Sequence, residues 1–266
     1  MKKQMHHALA VVHKNAQIGR NVTIDPFAVI EDDVVINEGT WIGAHAVIMT
    51  GSRIGKNCKV FPGAVIGTIP QDLKFKGEKT LVEIGDNTTI REYCTLNRGT
   101  STSGKTSIGT NCLLMAYVHV AHDCTVGNHC ILANNSTLAG HVQIENNAIL
   151  GGMTAVQQFI HIGAHCMLGG GSLVNKDIPP FVRVARYPVS YIGVNTIGLR
   201  RRGFSEKKIL HLRDIYHRLF VQNQNRNQAL KIIETEVEAS RERQLIVDFV
   251  RQSKNGIIKG PKPLKK

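Results

Sequence analysis

VIEDDVVINEGTWIGAHAVI, residues 29–48, carries an aliphatic residue at every sixth position: Ile30, Ile36, Ile42 and Ile48. A period of six fits neither an amphipathic helix nor a simple alternating strand. Outward from this stretch the same frame holds from Val12 to Val174. Of its 28 positions, 25 are Ile, Leu or Val, and the exceptions are Asp72, Glu78 and Thr102. A second column, four residues further on, is dominated by small side chains, such as Ala28, Thr40, Ala46, Ser52 and Ala64. All six cysteines (58, 94, 112, 124, 130 and 166) fall in it, which reads as small apolar filling of a tight interior corner rather than disulfide or nucleophile chemistry.

The pattern is the hexapeptide signature of a parallel β-helix, with each repeat a short strand and a turn. Three repeats close a triangular coil of about 18 residues whose stacked copies bury one another. Glycine often follows the aliphatic residue (Gly19, Gly43, Gly55, Gly85, Gly109, Gly127, Gly163), where it is expected to supply turn conformations that other residues resist. The frame does not fix handedness. The polar stretches 67–83 and 97–105, which contain the three exceptions, should leave the coil as loops. The repeat is expected to end near Pro179 and Pro180. From Ser205, the expected N-cap, Ile209, Leu212, Ile215, Tyr216, Leu219 and Phe220 follow helical spacing. Two further amphipathic segments lie near 227–239 and 242–252, and the basic tail KGPKPLKK should fray. The reading is a β domain over 1–190 and a small α-helical domain over 191–266.

Composition narrows the function classes. The start MKKQMHHALAVVH lacks the apolar core and cleavage site of a secretory signal, and no run of 18 apolar residues exists, so a soluble cytoplasmic protein is expected. Charge is uneven: residues 1–198 hold 16 Lys+Arg against 13 Asp+Glu, residues 199–266 hold 17 against 7. No zinc-finger spacing or RNA-binding aromatic motif accompanies it, so nucleic acid is not expected and an acidic protein or a phosphorylated small molecule is.

The stretch HVAHDCTVGNHC, 119–130, concentrates the chemistry. The frame points His122 outward from the aliphatic core. Eighteen residues on, Gly140 lies over His122 and His141 over Asp123. His119 is one corner away, and Gln157 and Gln158 are another coil up. His129 and His165 fall on other faces as ordinary surface residues. Imidazole beside a carboxylate suits a general base. A Ser–His–Asp nucleophile lacks its G-x-S-x-G elbow. Zinc held by His119, His122 and His141 stays open.

IPQDLKFKGE (69–78), CLLMAYVHVAHDCTVGNHCILANNSTLAGHV (112–142), AILGGMTAVQQF (148–159) and GVNTIGLRRRGFS (193–205) together resemble the UDP-N-acetylglucosamine acyltransferases, over essentially the whole chain. The resemblance implies a left-handed parallel β-helix with a helical C-terminal domain. It implies a homotrimer with active sites between subunits, without cofactor or metal. The implied reaction moves an (R)-3-hydroxyacyl chain from acyl carrier protein to the sugar 3-hydroxyl of UDP-N-acetylglucosamine, the first step of lipid A synthesis. By the same resemblance His122 is the base, Asp123 orients it, and the Gly140 N–H stabilises the oxyanion. Asp72, Lys74, His119, His141 and Gln158 match sugar and acyl contacts. Asn195, Arg201 and Arg202 match the nucleotide end, and Gly170 the position bounding acyl length. The basic C-terminal region becomes a docking face for the acidic donor protein. The chain departs from the family pattern at Gln157 (commonly His), Ile197 (commonly Glu) and Asn97 (commonly His). The competing readings are an acetyl-CoA-dependent hexapeptide acyltransferase, the later N-acyltransferase of the same pathway, a trimeric zinc lyase of the γ-carbonic anhydrase type, and a purely structural β-helix.

Overall fold

The computed structural model describes residues 5–222 and 225–260. Among the described residues, short strands, mostly of two residues, recur every six residues and stack into three sheets of 11, 9 and 8 strands, parallel except for the last pair of the first, and these are the walls of a triangular prism. The chain visits the first, second and third sheet in turn, so each coil is one circuit. Register follows the expected circuit of eighteen: His119 pairs with Thr137 and Val120 with Leu138.

The two interruptions keep this frame for a geometric reason. Lys59 pairs with Thr89 and Val65 with Thr95, thirty residues apart, so twelve extra residues enter one coil. Thr95 pairs with His119 and Leu81 with Lys105, twenty-four apart, so six extra enter the next. Both insertions are multiples of six, and they contain Asp72, Glu78 and Thr102. The loops are narrower than expected. Val65–Thr68, Leu81–Ile84 and Thr95–Asn97 are strands, leaving 69–80 and 98–104 outside the coil.

The corner chemistry corrects one expectation. The left-handed backbone conformation falls three residues after the aliphatic position, at Asn21, Phe27, Asp33, His45 and onward to Asp123 (φ +60°), His141 (φ +61°) and His165. Such a residue costs about 1–2 kcal/mol, and coil-to-coil bonds such as His141 N–H to the His122 carbonyl (3.0 Å) offset it. Gly67, after Ile66, does adopt a positive φ (+90°), but Gly19, Gly43, Gly55, Gly85, Gly109, Gly127 and Gly163 do not. They are required because a Cβ would strike the next coil: at Gly127 it would lie 2.7 Å from the Asn146 amide nitrogen.

Inside the prism the aliphatic column is almost wholly buried. All six cysteines are buried and unpaired. Burial pushes the Cys94 thiol up to about 11 and Cys124 to about 12, so both pack as neutral hydrophobes.

The coil begins earlier and ends later than the aliphatic frame. Met5–His6 already pairs with Thr23–Ile24. Beyond the prolines, Val182–Ala185 still stacks in parallel on Met167–Leu168, then turns back antiparallel against Ser190–Val194. Among the described residues four α-helices follow: α1 (Thr196–Arg201), α2 (Glu206–His217), α3 (Arg226–Glu236) and α4 (Arg241–Gln252). A π-helical turn at Arg218–Gln222 extends α2. Ser205 caps α2 through the Lys208 amide as expected, whereas α1 was not legible. Buried Tyr216 of α2 donates to the Pro180 carbonyl and stacks with Tyr191 and Phe220. After α4 the chain returns to the prism, where Asp177 accepts from Ser253 Oγ at 2.6 Å. Of the basic tail, Lys259 bridges to Ser190, and residues 261–266 lie outside the described residues.

Candidate active site

With the edges of the prism numbered one (first to second sheet), two (second to third) and three (third back to first), edge two carries His122, Asp123, Gly140, His141, Gln157 and Gln158 on successive coils. The His122 carbonyl accepts from the His141 amide, which fixes the vertical stack. His122 leaves the coil interior as expected, yet it is 7% exposed, not a surface residue. Gly140 covers it. A Cβ at Gly140 would lie 2.6 Å from His122 Cε1 and 2.7 Å from Nε2, so only glycine fits over the ring.

His122 Nδ1 stands 2.8 Å from Asp123 Oδ2. An ionised carboxylate only accepts, so Nδ1 carries the proton and Nε2 keeps its lone pair. Asp123 accepts from the Thr100 N–H (2.9 Å), the Thr100 hydroxyl (2.7 Å) and the Ser103 hydroxyl. Its own N–H donates to Thr106 Oγ1 at 2.8 Å. Burial works to raise the Asp123 carboxyl, but hydrogen bonds from Ser103, His122 and Thr100 outweigh it and hold the group at about 2. His141 Nε2 lies 3.6 Å from the same carboxylate, its ring edge-on to His122 and stacked on Phe159 at 4.7 Å.

Above this group a cavity of about 290 Å³ is walled by Asp72, Lys74, Thr100, His141, Gln158 and Phe159. The structure thus joins residues from the first insertion, the second insertion and edge two, which the frame alone could not do. In the 69–80 loop, Asp72 Oδ1 accepts the Lys74 amide at 2.9 Å. Asn97 is buried and ties the root of that loop through the Ile69 carbonyl (2.9 Å) and Thr68 Oγ1. Thr100, Ser103, Thr106 and Phe159 were missed in the sequence; the only signal was the break at Thr102 that marked the loop.

Among the described residues the Gly140 N–H has no acceptor, whereas the equivalent amides of Thr110 and Asn128 donate to side chains one coil up and that of Ala164 to Glu145 one coil down. It is a free donor beside an imidazole.

Other expected site residues lie apart. His119 is half-buried on the second sheet, its Nδ1 2.7 Å from Thr95 Oγ1. Burial lowers its basicity. Gly170 is on edge one, where a Cβ would sit 3.2 Å from the Gly152 carbonyl oxygen. Asn195 and Arg202 pack on edge three: Asn195 donates to the His165 carbonyl (2.9 Å), Arg202 to the carbonyls of Asn147 (3.1 Å) and Gly198 (3.3 Å). Arg201 and Ile197 are exposed on α1, and Gln157 is exposed on edge two. His165 is not the surface residue expected. It stacks on Phe181 and meets Phe204 edge-on, and burial first, then Arg202, lowers it to about 4. His129 is exposed as expected.

For a metal, the set the fold assembles is His122, Asp123 and His141, with ligand atoms within 4.8 Å of one another, not the three histidines considered from sequence. Its carboxylate is already turned to Thr100, Ser103 and His122 Nδ1. That arrangement serves an oriented base better than an open metal site, which needs ligand atoms directed at one point.

Residues 33–68 and 105–140 match the six-repeat model of bacterial hexapeptide transferases, and residues 177–258 match the second-domain model of UDP-N-acetylglucosamine O-acyltransferases. An acyl-[acyl-carrier-protein]–UDP-N-acetylglucosamine O-acyltransferase from Sulfurihydrogenibium sp. is 52% identical, covering 94% of this chain and 93% of its own. The chain belongs to the UDP-N-acetylglucosamine O-acyltransferase family. The enzyme of the same name from Chlorobaculum parvum is 49% identical, over 94% of this chain and 95% of that one. Among solved structures, the UDP-N-acetylglucosamine acyltransferase from Bacteroides fragilis superposes with a TM-score of 0.94 at 48% identity, covering 95% of this chain and 99% of that one. The relative from Acinetobacter baumannii gives 0.93 at 40% identity, over 96% and 100%. The prism is the left-handed parallel β-helix of this family. Among the described residues, no helix is long and apolar enough to cross a membrane.

Proposed function

We propose that the protein transfers an (R)-3-hydroxyacyl chain from acyl carrier protein to the 3-hydroxyl of UDP-N-acetylglucosamine, the first step of lipid A synthesis. The observation that carries the reading is the His122–Asp123 pair beneath Gly140, a buried imidazole with Nδ1 tied to a carboxylate and covered by a glycine whose backbone N–H is free. His122 Nε2 takes the proton of the sugar hydroxyl as its oxygen attacks the thioester carbonyl carbon. Asp123 stabilises the imidazolium that forms. The carbonyl oxygen becomes an oxyanion, which the Gly140 N–H receives as a preorganised donor. Collapse breaks the C–S bond, and the leaving thiolate regains the proton from His122. The product is the 3-O-acyl sugar nucleotide and the free thiol of the carrier.

Asp72, Lys74, His141 and Gln158, which share one cavity, hold the sugar and the reacting end of the acyl chain. His119 and Gly170 line the path of the chain, with Gly170 permitting a longer one than a bulky residue would. Arg201, Arg202 and Asn195 serve the nucleotide. The cavity residues, Gly170 and the nucleotide group lie on different edges of one prism, with His119 on the second sheet, which supports a homotrimer in which the edges of neighbouring copies complete each site. Residues 1–190 form the acyltransferase domain. The second domain, read as 191–266 and carrying the four helices among its described residues, docks the acidic carrier in the cytoplasm through its positive charge.

A transfer assay crossing UDP-N-acetylglucosamine and its 3-amino analogue with acyl carrier protein and coenzyme A thioesters tests this. Turnover confined to the 3-hydroxyl sugar and the carrier-protein donor is expected. Transfer from acetyl-coenzyme A alone, or hydration of carbon dioxide, would refute it.

A further inference from the structure

The loop at 98–104, which carries the second insertion, walls the cavity with Thr100, Ser101 and Thr102. Its inner side does something else. Thr100, 6% exposed, offers its N–H to Asp123 Oδ1 at 2.9 Å and its hydroxyl to Oδ2 at 2.7 Å, so one residue grips both carboxylate oxygens. Ser103 approaches Oδ1 as well, but its single hydroxyl hydrogen has a second acceptor, the Lys105 carbonyl at 2.8 Å. Thr100 is therefore the committed donor. Asp123 needs such a grip because its backbone is in the left-handed conformation and its carboxylate side chain is wholly buried. The ionisable groups facing it are His122 at 2.8 Å and His141 at 3.6 Å.

We infer that Thr100 is a positioning residue of the reaction: it clamps the Asp123 carboxylate, and through it the ring and tautomer of His122. The inference rests on the general-base reading of His122. It gives the insertion a second task beside shaping the cavity, and it makes one residue common to the cavity wall and the base.

The test uses full-length protein with Thr100→Val, which keeps the N–H and the shape but loses the hydroxyl, and Thr100→Ser, which restores it. Ser103→Ala serves as the milder companion, and a Thr100→Val protein that melts like wild type is the one assayed. In Thr100→Val, kcat should fall by roughly 10–100-fold, the loss typical of a partner that orients a functional histidine. The KM for UDP-N-acetylglucosamine should stay within about twofold, since uniform binding is not what was removed. Thr100→Ser should recover most of the loss, and Ser103→Ala should lose less than Thr100→Val. Carbon-13 NMR of the Asp123 carboxyl, which needs no turnover, should show its titration midpoint rising by about one unit in Thr100→Val. Unchanged kcat, a rise in KM alone, or a Thr100→Ser protein as impaired as Thr100→Val would overturn the assignment. So would an unmoved carboxyl titration. A wild-type protein that transfers no acyl group would sink the functional reading by itself, while the carboxyl titration still decides whether Thr100 clamps Asp123.

Discussion

Gly140→Ala is the substitution whose consequence follows most directly from distances. Gly140 is not in the left-handed conformation, so alanine is acceptable to its backbone, and its N–H is retained. The added Cβ would stand 2.6 Å from His122 Cε1, whereas carbon atoms in contact settle at about 3.5–4 Å. The imidazole must retreat by about 1 Å. It has little room, because it is 7% exposed and Nδ1 is held 2.8 Å from Asp123. A displacement of about 1 Å at a catalytic group costs about 10²-fold in rate, or about 2.7 kcal/mol on the barrier. Steady-state turnover with UDP-N-acetylglucosamine and saturating acyl carrier protein donor measures it, beside a thermal melt expected to move by only a few degrees. Because alanine acts through the ring, Gly140→Ala combined with His122→Ala should be no slower than His122→Ala alone. A Gly140→Ala enzyme with more than half of wild-type turnover would refute the claim that glycine is needed to seat the base. Full additivity of the two substitutions would refute it equally.

Two other expectations concern the scaffold. Cys94→Ala and Cys124→Ala should each leave kcat within about twofold and lower stability by about 1 kcal/mol through lost packing, read by urea unfolding; a folded variant without turnover would give that thiol a chemical role. His165 should make the protein acid-sensitive in a defined window. Its folded-state value is lowered to about 4 from the ordinary 6.5, so below pH 6.5 the unfolded chain takes up a proton that the folded chain refuses until about pH 4. That contribution to stability is complete above pH 6.5, declines between 6.5 and 4, and is level below. His165→Phe should flatten the decline in urea midpoints across that window, and an unaltered slope would contradict the burial assigned to His165.

The stacked fold was legible because a period of six survives only if each residue repeats the same environment, as Ile24 to Ile66 do without a break. The frame also placed Gly140 over His122 and His141 over Asp123, since adding one coil is arithmetic. It could not show that His122 is buried, because what covers it comes from the neighbouring coil and from loops whose path carries no period. Thr100 and Ser103 were invisible for that reason, as was the cavity uniting Asp72 and Lys74 with His141. The role of the glycines after the aliphatic position was misread, because composition cannot separate a glycine needed for a turn from one needed for close approach. His165 was misplaced on the surface because the frame describes the prism alone, while Phe204, which packs on it, comes from the segment between α1 and α2.

The central claim is that His122 removes the proton of the attacking sugar hydroxyl. Single-turnover acyl transfer by His122→Ala, at donor and UDP-sugar concentrations that saturate binding, tests it most directly. Loss of a general base predicts a fall of roughly 10²–10⁴-fold, with the melt and UDP-N-acetylglucosamine affinity close to wild type. Transfer within tenfold of wild type by the folded variant would mean that the proton leaves by another route.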